Sequence, residues 1–333
     1  MSKKSKKLGM QMLEEKAMMA GDATAAVVDG NLEIGELTAG QDQHVQVYKL
    51  SNGGIRVQGL YGTQIYGNYK GGEGLYNSIT FYGINANDDL LVNLGNGSDT
   101  LNVLNYNGGI TVDDAVINVG GTDSSIKDHD RVSISGLTTR DELHIDTGIH
   151  NDQVTVSGST IGNGSWEDLE IRTGSGADYV SVTTTTVADD LYVRTYDSVA
   201  ENDDDELNVD SVTADDIRAY MGNGDDEARV QWSTVQDDIY LDMGYHRDES
   251  SDPAAYDDDY AYLGFNDVDD ITIKGRDGND EVRFAYNEAD DVNFDGGDGF
   301  DEFFRWIASN GQDSNDVDDY DLDSAFDRVY GYV

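Results

Sequence analysis

The sequence predicts an all-β fold: a parallel β-solenoid or β-roll with two strands per coil of 21–22 residues and a β-rich cap at its N-terminal end. Three observations carry this expectation. An apolar residue recurs at a fixed interval through most of the chain, a short alternating segment follows each recurrence, and the connections are made by glycine, Asn and Asp instead of proline. There are 38 glycines in 333 residues and a single proline, Pro253.

The interval is found by taking the first apolar residue after each acidic pair. One series runs Leu90, Ala115, Leu143, Leu169, Leu191, Ile217, Ile239, Ile271, Val292. A second, interleaved with it, runs Leu101, Val132, Val154, Val180, Leu207, Ala228, Ala261, Val282, Phe303. Uninterrupted steps within a series are 21 or 22 residues, and longer ones contain insertions, such as those at 194–206 and 243–260. Each position opens an alternating run such as Val180-Ser181-Val182 or Ile239-Tyr240-Leu241, the mark of a strand with one buried face. About six residues remain for each connection, too few for a helical crossover between parallel strands. Stacking each strand on its equivalent in the next coil removes the difficulty. Nine coils at ~4.8 Å would build a rod of roughly 45 Å.

The elements then follow in order. Residues 1–20 carry four lysines ahead of a Met- and Leu-rich stretch, which reads as a short helical or sorting segment. Glu14-Glu15-Lys16 interrupts the ~7–15-residue apolar centre that a secretory signal needs. Residues 21–87 read as a β cap, with a hairpin over 44–59 about Asn52-Gly53-Gly54. Residues 88–309 are the acidic repeats, and 310–333 hold one more half-coil at 315–323 and a tail.

Charge and composition exclude several functions. The net charge is -46, with 67 acidic residues against 21 basic ones, so neither nucleic acid nor an anionic membrane is an expected partner. Cysteine is absent, which removes disulfides, zinc-thiolate sites and cysteine catalysis. No run approaches the ~18 apolar residues of a membrane-spanning helix. The histidines (His44, His129, His144, His150, His246) are scattered, and no nucleophile elbow, P-loop or HExxH occurs. The expectation is that the chain is not an enzyme.

GNGSDTLNV (95–103), GSGADYVSV (174–182), GNGDDEARV (222–230) and GDGFDEFF (297–304) resemble the GGxGxDxUx nonapeptide of hemolysin-type calcium-binding (RTX) proteins. In that family the glycine turn and its aspartate bind calcium between stacked coils. Only alternate turns have this form here, and the half-coil is eleven residues instead of nine. The N-terminal stretch QMLEEKAMMAGDATAAVVDGNLEI (11–34) is similar to large planctomycetal exported proteins with a LEPR-XLL-type sorting segment, with Lys16 where Arg is common. Together the resemblances imply an exported, cell-surface or matrix protein of repeat type.

Column electrostatics point the same way. Equivalent acids ~4.8 Å apart repel by ~0.9 kcal/mol even in water, so a column must splay, protonate or gather cations. Calcium takes ~6–8 oxygens in irregular geometry, and glycine turns expose carbonyls beside the aspartate. The candidate ligands are Asp99, Asp178, Asp226, Asp280 and Asp301, with Asp277 and Asp298 in their turns and the turn glycines Gly95, Gly97, Gly174, Gly176, Gly222 and Gly224. The opposite edge offers Asp89, Asp190, Asp216, Asp238, Asp270 and Asp291, although Asp is also an ordinary turn former. The expected function is a structural or adhesive repeat protein, extracellular or on the cell surface and stabilised by calcium, with self-association or matrix components as partners. Two alternatives are a self-assembling fibre subunit and a carbohydrate-binding or carbohydrate-cleaving solenoid. The second would use outward tyrosines (Tyr179, Tyr192, Tyr240, Tyr262, Tyr286).

Overall fold

The structure is a computed structural model that describes residues 21–121, 128–164, 167–196, 203–244, 258–306, 315–322 and 326–332. The segment 1–20, residues 197–202 of the first insertion and 245–257 of the second lie outside the described residues. The fold is all-β, elongated and mostly parallel, and it repeats. Two large sheets contain 14 and 13 strands.

The two apolar series are the register of these sheets. In the first sheet Leu90 faces Ala115, Leu143 faces Leu169, Ile217 faces Ile239 and Ile271 faces Val292. In the second, Leu101 faces Val132, Val154 faces Val180, Ala228 faces Ala261 and Val282 faces Phe303. Inward positions alternate with outward ones, as in Leu191–Arg194 and Glu206–Asp210, so each repeat adds apolar side chains to continuous columns. Burying one such side chain is worth about 1.5–3 kcal/mol, and the columns join into one core. Towards the C-terminal end the fully buried Phe284, Phe294 and Phe303 enlarge it.

The expectation of two strands per repeat needs correction. A third sheet of six short strands, from Thr111–Val112 to Thr234–Val235, gives the central repeats a third side. Each of its strands buries one residue, such as Val112, Ile161 or Val187. A single inward residue cannot display alternation, so the sequence pattern did not reveal these strands.

The N-terminal region joins both large sheets directly. Asn31–Glu36 pairs in parallel with Leu90–Asn93, and His44–Lys49 with Thr100–Leu104. Antiparallel strands then cover that end: His44–Lys49 pairs with Ile55–Gly59 through the Asn52-Gly53-Gly54 turn, where Gly53 has φ 83°. At the other end Asp316–Leu322 extends the first sheet, and Phe326–Tyr332, read as tail in the sequence, extends the second. No helix among the described residues is long and apolar enough to cross a membrane.

Candidate functional site

Strand alternation puts the residue two places before the first buried apolar residue on the same inward face. Applied to the second series, this rule lands on aspartate nine times: Asp99, Asp130, Asp152, Asp178, Asp205, Asp226, Asp259, Asp280 and Asp301. None of the nine is more than 4% exposed. They stack into a hydrogen-bonded ladder, in which the Oδ1 of each accepts the backbone N–H of its equivalent in the preceding repeat. The N–H of Asp99 donates to Asp130 at 2.6 Å, that of Asp152 to Asp178 at 2.7 Å, and that of Asp280 to Asp301 at 3.0 Å. The intervening rungs follow the same pattern. Buried Gln43 closes the N-terminal end by donating its N–H to Asp99 at 2.6 Å.

One oxygen of each carboxyl is therefore engaged. At Asp99 and Asp130 the other, Oδ2, is buried with no hydrogen-bond partner. The residues that follow the first-sheet strands of those repeats are Leu94 and Val119, which offer none. In the next three repeats the equivalent position is Thr147, Thr173 or Thr195, whose hydroxyls favour the ionised forms of Asp152, Asp178 and Asp205. Burial nevertheless dominates. It pushes Asp99 up to about 9, Asp130 and Asp178 to about 10, and Asp152 and Asp205 to about 8, and neighbouring carboxylates add to the rise. Two ionised rungs ~4.8 Å apart would repel by roughly 3–4 kcal/mol at an effective dielectric of 20. A fully ionised, uncompensated ladder is not a stable species.

The residue preceding each later rung forms an outer ladder that runs the other way. Asp225 N–H donates to Asp204 at 3.1 Å, Asp258 N–H to Asp225 at 3.1 Å, and Asn279 N–H to Asp258 at 2.9 Å. An acidic pair such as Asp225-Asp226 thus bonds both adjacent repeats, the buried acid to the one before and the exposed acid to the one after. This accounts for paired carboxylates at the beat of the repeat.

The acids at the start of the first-sheet strands are a different case. Asp238 N–H donates to Asp216 at 2.7 Å and Asp291 N–H to Asp270 at 3.2 Å, but most of these side chains meet solvent. Arg218 bridges Asp190 and Asp216. Burial raises Asp190 to about 6 against the pull of that guanidinium.

A third ladder is buried and neutral. Ser233 N–H donates to Asn266 Oδ1 at 3.1 Å, Asn266 N–H to Asn287 at 3.1 Å, and Asn287 N–H to Asn315 at 3.0 Å.

Five of the sequence candidates, Asp99, Asp178, Asp226, Asp280 and Asp301, are brought together as rungs. Asp277 and Asp298 are not. They face each other across a short strand pair on the outside of the turn, half-buried and exposed respectively. Gly95, Gly97, Gly174, Gly176, Gly222 and Gly224 line the turns, all with positive φ. Their role is close approach as much as conformation: a Cβ on Gly174 would lie 1.6 Å from the carbonyl oxygen of Gly148, and one on Gly224 2.0 Å from that of Asp203. Asp89, Asp190, Asp216, Asp238, Asp270 and Asp291 all belong to the first-sheet edge. Sequence reasoning missed Asp130, Asp152, Asp205 and Asp259, because their turns have no glycine between the strands in the GxGxD pattern. The phase Asp-x-apolar-x-apolar would have found eight of the nine, all but Asp301, where Arg305 takes the last place.

The ladder's donor set is entirely oxygen, an arrangement like that of a site for a hard cation. Among the described residues no three His, Cys, Asp or Glu side chains converge on one point. A cation at the ladder would be held by adjacent rungs, with Asp99 and Asp130 best provided with spare buried oxygen. Comparison of the chain with protein-family models, with characterised proteins and with solved structures finds no match.

Proposed function

We propose that this chain is a β-solenoid scaffold of the RTX-like type, exported to the cell surface or matrix, whose stacked repeats are held by calcium at the aspartate ladder. The observation that supports this reading is the unpartnered, buried Oδ2 at Asp99 and Asp130 within a column of like charges. A divalent cation neutralises two rungs at once and gives the spare oxygens a partner. Calcium bound only by the stacked state stabilises it through mass action, about 2.7 kcal/mol per site at a hundredfold excess over Kd. For a chain of this size that raises the melting temperature by roughly 4 °C per site. Folding would be favoured where calcium is abundant, outside the cell. Thermal melts followed by circular dichroism in chelator and in millimolar calcium test the reading. Coincident melts would reject calcium while leaving the repeat scaffold standing.

Self-association is a second reading, favoured by strand edges at the C-terminal end that no further strand covers among the described residues. Asp316–Leu322 and Phe326–Tyr332 are the terminal strands of the two large sheets, and such edges invite pairing. Concentration-dependent sedimentation, or filaments in electron micrographs, is the expected result; a monomer at all concentrations would remove this reading.

A further inference from the structure

Immediately after each of seven successive second-sheet strands, from Arg131–Ser135 to Glu281–Ala285, the chain turns through a left-handed residue. Over seven consecutive repeats these are Gly136, Gly158, Thr184, Ser211, Trp232, Phe265 and Tyr286, with φ between 47° and 63°. Glycine takes this conformation freely, whereas a bulky side chain is strained in it. The last three positions are nevertheless aromatic. Their rings stack along the repeat axis: Trp232 on Phe265 at 3.9 Å and 4°, and Phe265 on Tyr286 at 4.8 Å and 9°. Three left-handed penalties stand against two ring contacts of comparable size. Ring stacking alone does not repay the strain. An observed backbone outlier of this kind directs attention to function.

The column stops at Trp232. Trp232 is 55% exposed, and the equivalent position in the preceding repeat, Ser211, has no ring to offer. The residues just before these two positions, Asp210 and Gln231, pair in register and carry hydrogen-bonding groups. Ser211 Oγ donates to Asp210 Oδ1 at 2.6 Å, and Gln231 Nε2 donates to Asp210 Oδ2 at 2.8 Å. An exposed indole face edged by a carboxylate, a carboxamide and a hydroxyl is suited to a pyranose ring. The ring's C–H face would lie on the indole, and its rim hydroxyls would meet the polar groups.

We propose that Trp232, with Asp210, Ser211 and Gln231, forms a binding platform for a neutral saccharide, whose sugar ring continues the aromatic column over Ser211. The net charge of -46 selects neutral over acidic glycans. The platform is independent of calcium at the aspartate ladder, so it stands or falls separately from the function proposed above.

The test is calorimetric titration of the full chain with neutral hexasaccharides (β-glucan, chitin and mannan fragments), in calcium and in chelator. Saturable binding of at least one is expected under both conditions. Trp232→Gly, which fits the left-handed turn, should weaken that binding at least about tenfold while retaining the wild-type circular dichroism spectrum. Ser211→Phe should block it as well, by placing a ring where the sugar lies. Absence of binding by all three oligosaccharides, undiminished binding by Trp232→Gly, or binding of an apolar peptide in place of sugar would each overturn the proposal.

Discussion

The aspartate ladder and the asparagine ladder solve the same stacking problem with different chemistry. In both, a buried side-chain oxygen accepts the backbone N–H of the preceding repeat at close to 3 Å. The difference lies in the second terminal atom. Asn266 Nδ2 donates to the Val230 carbonyl at 2.9 Å, and Asn287 Nδ2 to the Leu263 carbonyl at 3.0 Å. At Asp99 and Asp130 the corresponding oxygen has no donor to accept from. An amide therefore suffices to join one repeat to the next. The carboxylates add a charge that stacking does not require and that burial penalises, which points to a proton or a cation as the intended partner.

The largest expected effect that would sharpen this contrast comes from pH. The folded pKa values of Asp99, Asp130, Asp152, Asp178 and Asp205, about 8 to 10, lie above the ordinary carboxylate value near 4. The folded state therefore binds more protons than the unfolded one. The ladder's contribution is fully present below pH ~4 and is lost as pH rises through the folded values. In chelator the melting temperature should fall by about 10 °C or more between pH 6 and 9. A flat profile would mean that the rungs are not buried as described.

A smaller effect is expected from making the charged ladder resemble the neutral one. Asp152→Asn with Asp178→Asn keeps the Oδ1 acceptors and supplies amide donors beside Thr147 and Thr173. In chelator at pH 8 the double variant should melt about 5 °C higher than wild type, because a buried charge has been removed. Its gain on adding calcium should shrink in proportion to the rungs lost. An unchanged calcium increment would place the ion elsewhere.

The smallest effect belongs to the first-sheet edge. Asp270→Asn preserves the acceptor for Asp291 N–H, and the side chain is exposed. Its melting temperature should stay within about 2 °C of wild type, as for other solvated charges. A larger shift would show that the two acidic edges are equivalent after all.

How far the sequence disclosed this arrangement depended on the length of each signal. Ile217 and Ile239 could be paired in advance because four-residue alternation recurs at a constant interval. Thr186–Val187 could not, since a two-residue strand has no period. In the ladder, glycine drew attention to Asp178 and Asp226 and away from Asp130 in KDHDR and Asp205 in DDDE, where several acids compete for the same role. Burial separates them, and burial follows from phase relative to the next apolar residue, not from the turn's composition. Strain at Trp232 was invisible for a similar reason: a tryptophan after a strand looks ordinary until its φ of 56° is known.

The buried hydrogen bonds also have a sense of time. Each rung's N–H waits for a carboxyl that lies further along the chain: the partner of Asp152 is Asp178, 26 residues later. While the newest repeat lacks its successor, that amide is open to water, and docking of the next repeat exchanges the water for a carboxyl. Assembly becomes a ratchet running from Gln43 towards the C-terminus, each step finished by the next.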